Sequence, residues 1–403
     1  MFVPNNKPGP LSGVTVLDLT LAMAGPLATS RMGDLGANVL KVESPSGDFS
    51  RLWPIAGYVH GGESSAFLTI NRNKRGMVID LKADEGRELL YKLVETADVL
   101  VQNFRPGVEK RLAIDFDTLK KINPKLVYIS ISGYGDEGPM VARPGQDLLV
   151  QCFSGLTFNG GARNQKPSTS PIYIIDTCAS HLAVEAALSG YIEAMKTGKG
   201  QHMKVSLLSA ALEIQVQEIS TYLTSGNIAK QSDIDAVSTW MEPPYNIYRT
   251  QDSWIAIAHA TFPSVAEAFD RPELIEIGAA RPDIASGEPY LKWRDQVFAI
   301  AREEFEKNTT EFWLEKMTAL GIWVGPVNDY ETIKTHPQFK DLFTLVEGHK
   351  GGTYTTLAPA IRFDNTPAIR PAPGLGEHTD EILAEYGYDA QSISTLREKQ
   401  IVK

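Results

Sequence analysis

The stretch Pro171-Ile172-Tyr173-Ile174-Ile175-Asp176-Thr177-Cys178-Ala179-Ser180-His181 sets one carboxylate directly after four apolar residues. A carboxylate in that setting can act as a nucleophile or a base. An aspartate between an apolar strand and a helix is also a favoured N-cap, its oxygens accepting backbone N–H bonds. Both readings stand for Asp176. Cys178 and His181 are three apart on the same helix, where a thiol and a base, or two metal ligands, could meet. No third ligand follows at regular spacing, so two side chains on a buried helix face is the simpler reading, and no metal is expected.

Basic residues gather in three places: Lys41 and Arg51; Arg72, Lys74, Arg75 and Lys82; Arg105, Lys110 and Arg111. Most follow predicted strand ends. In an open α/β sheet the loops at the carboxyl ends converge on one crevice, so these clusters would form a single anion site; the alternative is a set of unrelated solvated charges. The first strand ends in Asp18-Leu19-Thr20 and runs through Ala22-Met23-Ala24-Gly25-Pro26 into a helix. Small-residue loops of this kind receive phosphorylated ligands, although a tight turn needs small residues too. The loop lacks the Gly-x-Gly-x-x-Gly spacing, which disfavours a dinucleotide fold.

The elements that must position these groups are legible as apolar, β-branched runs at Val14–Leu19, Asn38–Val42, Met77–Leu81, Val99–Gln102 and Leu126–Ser132. Continuous runs suit strands buried on both faces, and Glu85–Thr96, with Leu89, Leu90, Leu93 and Val94, has the spacing of an amphipathic helix. This alternation predicts an α/β fold with an open, mostly parallel sheet. A long helix is predicted from Thr177 to about Lys196, then a strand at Met203–Ser206 and a helix to about Thr224. Beyond Ser225 the texture turns polar and Gly-rich, with Pro243-Pro244, a strand at Trp254–Ala258 and helices at Lys292–Lys307 and Thr310–Leu320, the latter introduced by an Asn308/Glu311 capping pair. A large domain over 1–224 and 329–403 and a smaller α+β domain over 225–328 are expected.

The chain has 403 residues, 43% hydrophobic and 22% charged, with a net charge of -10 and two cysteines. Such a chain can bury a large core, and its acidic balance argues against nucleic acid and anionic membranes as partners. A small molecule is the expected partner. Cys152 and Cys178 are too few to staple the fold, Met1–Pro10 lacks the charged-then-apolar run of a leader, and Leu148–Ala162 is too short and too polar to span a bilayer. A cytoplasmic protein is expected.

The sequence resembles the class III CoA-transferases of the CaiB/BaiF family over nearly its whole length. The markers are Gly13-Val14-Thr15-Val16-Leu17-Asp18-Leu19-Thr20, Ala24-Gly25-Pro26, Gly36-Ala37-Asn38-Val39-Leu40-Lys41-Val42-Glu43, Gly47-Asp48-Phe49-Ser50-Arg51, Asn73-Lys74-Arg75, Asn103-Phe104-Arg105-Pro106-Gly107, Gly133-Tyr134-Gly135, Gly145-Gln146-Asp147, Thr197-Gly198-Lys199-Gly200-Gln201 and Leu375-Gly376-Glu377-His378-Thr379. The resemblance implies a Rossmann-like large domain, an interlocked homodimer, and coenzyme A carried as an acyl-CoA substrate, with a free carboxylic acid as the other substrate. It implies Asp176 as the nucleophile and CoA contacts from Met23, Ala24, Ile79, Lys82, Asn103, Phe104, Arg105, Arg111, Tyr134 and Gly135. Ser44 replaces an arginine that relatives often carry, leaving Lys41 or Arg51 as substitutes for the adenosine-phosphate contact.

The same resemblance implies that Asp176 forms an acyl anhydride and then an enzyme-bound CoA thioester. The apolar flank would exclude water, and backbone N–H groups at the start of the helix and in the Gly133–Gly135 loop would stabilise the oxyanions. Relatives on the same fold racemise 2-methylacyl-CoA esters with a histidine where this chain has Gln146. An amide cannot exchange a proton near pH 7, so the substitution favours transfer over racemisation or another CoA-ester isomerisation. A non-catalytic CoA-binding protein is the remaining alternative.

Overall fold

The computed structural model describes residues 8–53, 55–364 and 366–403; most of Met1–Pro10, read above for a leader, lies outside the described residues. Six strands form a wholly parallel sheet: Thr15–Leu19 (β1), Asn38–Glu43 (β2), Lys74–Val78 (β3), Val99–Gln102 (β4), Val127–Ser132 (β5) and His202–Ser206 (β6), in the order β3-β2-β1-β4-β5-β6. The helices Ala24–Asp34 (α1) and Ile174–Thr197 (α4) pack on each other, and α4 also lies on β5. The helix Asp84–Val94 (α2) carries Asp84 and Glu85 in its first turn and Lys92 in its last, matching the helix dipole. Its Leu89, Leu90, Leu93 and Val94 join Leu17, Leu40 and Leu100 in one core. Each such aliphatic side chain contributes about 1.5–3 kcal/mol on burial. No described helix is long and apolar enough to cross a membrane.

The described chain divides into two compact units. One comprises the segments up to Val150, Tyr173–Ile214 and His336–Lys403; the other comprises Gln151–Ile172 and Gln215–Thr335. The smaller unit is therefore wider than the expected 225–328. It gains 151–172 because Asn159 donates to Gln215 and accepts the Trp240 indole N–H at 2.8 Å, and Gly161 bridges Ala236. Its antiparallel sheet runs Trp323–Pro326 (β9), Trp254–His259 (β8), Asn246–Arg249 (β7). Helices Glu288–Phe305 (α6) and Thr310–Ala319 (α7) supply Phe298, Phe305, Trp313 and Met317 to its core. The cap of α7 is Thr309, whose hydroxyl accepts from Phe312, rather than Asn308. The Asn308 carbonyl accepts from Gln251 instead.

Strand β3 starts at Lys74, three residues before the apolar run that predicted it. Lys74 and Gly76 are buried there because their polar groups are spent inside the fold. The Lys74 ammonium lies 2.8 Å from the Asp18 carboxylate and also donates to the Pro26 carbonyl and Asn71. Asp18 further accepts from Thr20 and Thr29. Burial opposes the charge on Asp18, but Lys74 and then Lys41 outweigh it and hold the carboxyl at about 2; burial draws Lys74 down to about 8. The sheet edge beyond β3 is closed by the far end of the sequence: Ile79 bridges Val402, and the Asp80 N–H donates to the Ile401 carbonyl.

Lys74→Met should therefore leave Asp18 as an undercompensated buried carboxylate and cost about 3–5 kcal/mol in urea unfolding. A loss of no more than about 1 kcal/mol, the worth of a surface ion pair, would show that the pair is dispensable.

Candidate active site

The helix bearing Asp176 begins at Ile174, not at Thr177, and the predicted apolar strand before it is absent; Tyr173 occupies the cap position without a side-chain bond. The cap comes from elsewhere. One oxygen of Asp147, Oδ2, accepts from the Ile175 N–H at 2.8 Å and the Asp176 N–H at 2.9 Å. Asp147 is buried at the start of the helix Asp147–Phe153 (α3). The capping explanation for Asp176 thus fails for a physical reason: its first turn already has an acceptor, and its own carboxylate is not used for that purpose. Burial, and then the nearby charge of Asp147, push the Asp176 carboxyl up to about 7. The group is half-buried, so it can pass between acid and carboxylate near neutral pH while remaining reachable.

Several expected contributors are accounted for differently. The Ile175 and Asp176 N–H groups are taken by Asp147, Thr177 N–H goes to the Tyr173 carbonyl, and Gly135 N–H goes to the Ser132 hydroxyl at 3.1 Å. Those donors are not open for an oxyanion. The flank is less sealed than expected: Ile175 is buried, but Ile172 is 60% exposed. Tyr173 lies with its ring 5.6 Å from that of Trp53. Cys178 is half-buried and its thiol pushed up by burial and by Glu213, whereas His181 is exposed and bonds Arg31 at 2.8 Å. They do not share a buried face, and no metal-ligand cluster occurs among the described residues.

The basic clusters do not converge as one site. Lys41 bonds the Thr20 carbonyl and Asp48; Arg51 bonds Glu43 and Glu63; Arg72 bonds Asp34, all of them buried. Arg75 is held by Glu381 and Glu385. Lys41 and Arg51 are thus unavailable to replace the arginine missing at Ser44. What remains is a cavity of about 420 Å³ in the loops after β1 to β4, where Ile79, Lys82, Phe104 and Arg111 come together with Ser44. These are four of the residues expected at CoA.

The other expected CoA residues are placed as follows. Asn103 spends its side-chain amide on both backbone groups of Leu21, donating to the carbonyl at 2.8 Å and accepting the N–H at 2.9 Å, so it shapes the first loop. Met23 is half-buried at the cap of α1 and Ala24 is buried within its first turn. Arg105 is exposed and Tyr134 half-buried. Gly135 lines a different cavity, of about 550 Å³, with Phe104, Lys110 and His202. Gln146 is exposed beside Asp147.

Two residues with a part in this geometry escaped the sequence reading. Asp147 stood in a quoted motif, but only its neighbour Gln146 was given a role, because nothing in the spacing tells that it reaches across to residue 176. His202 bonds the Ser130 hydroxyl at 2.8 Å, and burial together with Lys204 draws its imidazole down. The signal for it was the alternation His202, Lys204, Ser206 along one face of β6.

Comparison with known proteins places this architecture in a family of enzymes. The chain belongs to CoA-transferase family III, whose model matches residues 11–379. It is 32% identical over 408 residues to succinyl-CoA:glutarate CoA-transferase of Homo sapiens, covering 98% of this chain and 91% of that protein. It is likewise 32% identical over 396 residues to succinate--glutarate CoA-transferase of Agrobacterium fabrum, covering 95% and 97%. The crystal structure of a CAIB/BAIF family protein from Brucella suis superposes with a TM-score of 0.78 at 29% identity, covering 94% of this chain and all of that one.

Proposed function

We propose that this enzyme transfers CoA from a short acyl-CoA thioester, of the succinyl type, to a free dicarboxylic acid, with Asp176 as the nucleophile. The observation that carries the reading is the Asp176 carboxyl: half-buried, not used as a cap, and poised at about 7. The names of the relatives support the substrate class, since one pairs succinyl-CoA with glutarate and the other succinate with glutarate. A carboxylate suits the task because it can hold the thioester energy covalently. The Asp176 oxygen attacks the donor carbonyl, the carbon–sulfur bond breaks, and CoA leaves as thiolate. The thiolate attacks the Asp176 carbonyl carbon of the resulting anhydride, releasing the donor acid and leaving an enzyme thioester. The acceptor carboxylate attacks that carbon and expels thiolate, which then takes the acceptor acyl group and returns Asp176 as carboxylate.

The nucleophile works ionised, and its pKa is raised, so kcat/KM should be low below about pH 7 and rise as pH passes through that value. Asp176→Asn should fold with an unchanged Tm and lose roughly a thousandfold or more in turnover. Hydroxylamine added during turnover should convert Asp176 to a hydroxamate in the wild-type protein, read by mass spectrometry. Wild-type turnover in the Asn variant would discard the mechanism.

CoA is assigned to the cavity of Ile79, Lys82, Phe104 and Arg111, with the two cations facing its phosphates. Arg111→Ala should raise KM for CoA esters about tenfold, the worth of one charge-assisted hydrogen bond, with little change in kcat. The increase should shrink in high salt. Equal KM at both salt concentrations would move the phosphates elsewhere.

The working assembly is inferred to be an interlocked homodimer, from the family resemblance; the exposed Ile192 and Met195 on α4 and Leu223 give it apolar surface to cover. Sedimentation through a dilution series should return one species of twice the 44.2 kDa chain. A folded monomer at low concentration would exclude interlocking and leave the chemistry at Asp176 untouched.

A further inference from the structure

Two glycine-centred stretches of the sequence, Gly133-Tyr134-Gly135 and Gly145-Gln146-Asp147, meet in space. A β-carbon built on Gly133 would lie 2.5 Å from the α-carbon of Gly145 and 3.1 Å from its nitrogen, and a β-carbon on Gly145 would run into Gly133 in the same way. That separation is about 1 Å inside carbon–carbon contact. Neither residue has a left-handed backbone, so the requirement for glycine is close approach rather than φ. Gly133 is fixed in place: it follows β5 directly, and its carbonyl accepts the Leu208 N–H at 3.0 Å at the start of the helix Leu207–Glu213 (α5). Gly145 stands two residues before Asp147. Residues 136–144, which join the two glycines in sequence, are exposed or half-buried.

We propose that this backbone seam is the positioning element for Asp147. By seating Gly145 on the end of β5 it fixes where the Asp147 carboxylate meets the first turn of α4, and through that contact it sets the electrostatic surroundings of Asp176. The chain of contacts is short: β5 to Gly133, Gly133 to Gly145, Asp147 to the N–H groups of Ile175 and Asp176. The other titratable groups around this part of α4 act elsewhere. Arg31 of α1 bonds His181, and Glu213 of α5 and Glu185 of α4 act on Cys178. Asp147 is the charged neighbour that acts on Asp176.

The test reads Asp176 itself, by the ¹³C shift of selectively labelled aspartate carboxyls across pH, with the signal assigned by difference against Asp176→Asn. Gly145→Ala must part the seam and withdraw the Asp147 charge. The titration of Asp176 should then fall by about one pH unit, and the acid limb of kcat/KM should fall with it. Asp147→Asn should lower the titration as well, and adding Gly145→Ala to it should change nothing further. An unmoved titration in a folded Gly145→Ala protein would overturn the proposal, as would a full extra shift in the double variant.

Replacing residues 137–142 by a Gly/Ser stretch of equal length provides a second arm should Gly145→Ala not fold. Both glycines are kept, so the titration should stay where it is; a shift would show that the tether positions Asp147 and the seam does not. The kinetic readout rests on Asp176 being the nucleophile, whereas the carboxyl titration does not. A titration that moves while kcat/KM does not follow would uphold the seam and discard the nucleophile.

Discussion

The pairing of Asp18 with Lys74 ties together the parts on which the large unit depends. Asp18 lies on β1 and Lys74 on β3, with β2 between them, and the same ammonium reaches the Pro26 carbonyl in α1. The same carboxylate takes two bonds from Thr20 and one from Thr29. Three strands, the first loop and the first helix are therefore set by one buried charge pair. Lys41 extends it to Asp48, whose backbone N–H donates to Glu43 and whose carboxylate caps Phe49–Leu52 by accepting from the Ser50 N–H. Charges of this sort are costly to bury singly and stable only as a satisfied set, which makes the arrangement specific as well as rigid.

This also explains which parts of the molecule could be read from the sequence. The parallel sheet and α2 were legible because burial on both faces, or on one helical face, writes a pattern of apolar residues that needs no partner to interpret. The start of β3 was not, since Lys74 and Arg75 read either as part of an anion site or as solvated charge until the partners, 56 and about 300 residues away in sequence, are known. For the same reason the basic clusters looked like one anion site, whereas four of their members neutralise internal carboxylates and only Lys82 and Arg111 share the cavity near Ser44. Asp176 was singled out by its setting and by resemblance. Asp147 was missed as a cap because a cap donated from a separate segment leaves no local spacing.

That remote cap separates two demands which a single aspartate would have to meet together. A carboxylate at the start of a helix ordinarily accepts from the open N–H groups, and each such bond favours its ionised form. Here Asp147 takes those bonds and Asp176 is left with burial and a like charge, both of which act in the opposite direction. The helix start is thereby stabilised without drawing the titration of its carboxyl down. The corresponding cost is that these helix-start donors are occupied and closed to any other acceptor.

The bridge between Ile79 and Val402, with the bond from Asp80 to Ile401, bears on how the chain acquires its structure during synthesis. The wall formed by Ile79 to Lys82 in the cavity shared with Phe104 and Arg111 is completed by residues more than 300 positions later. Contacts of such sequence separation form slowly, because a long loop must close before they repay it. While the ribosome makes the intervening segments, the outer side of β3 stands without its last partner. This cavity is therefore among the final parts to take shape in a nascent chain, well after the sheet that carries it has begun to assemble.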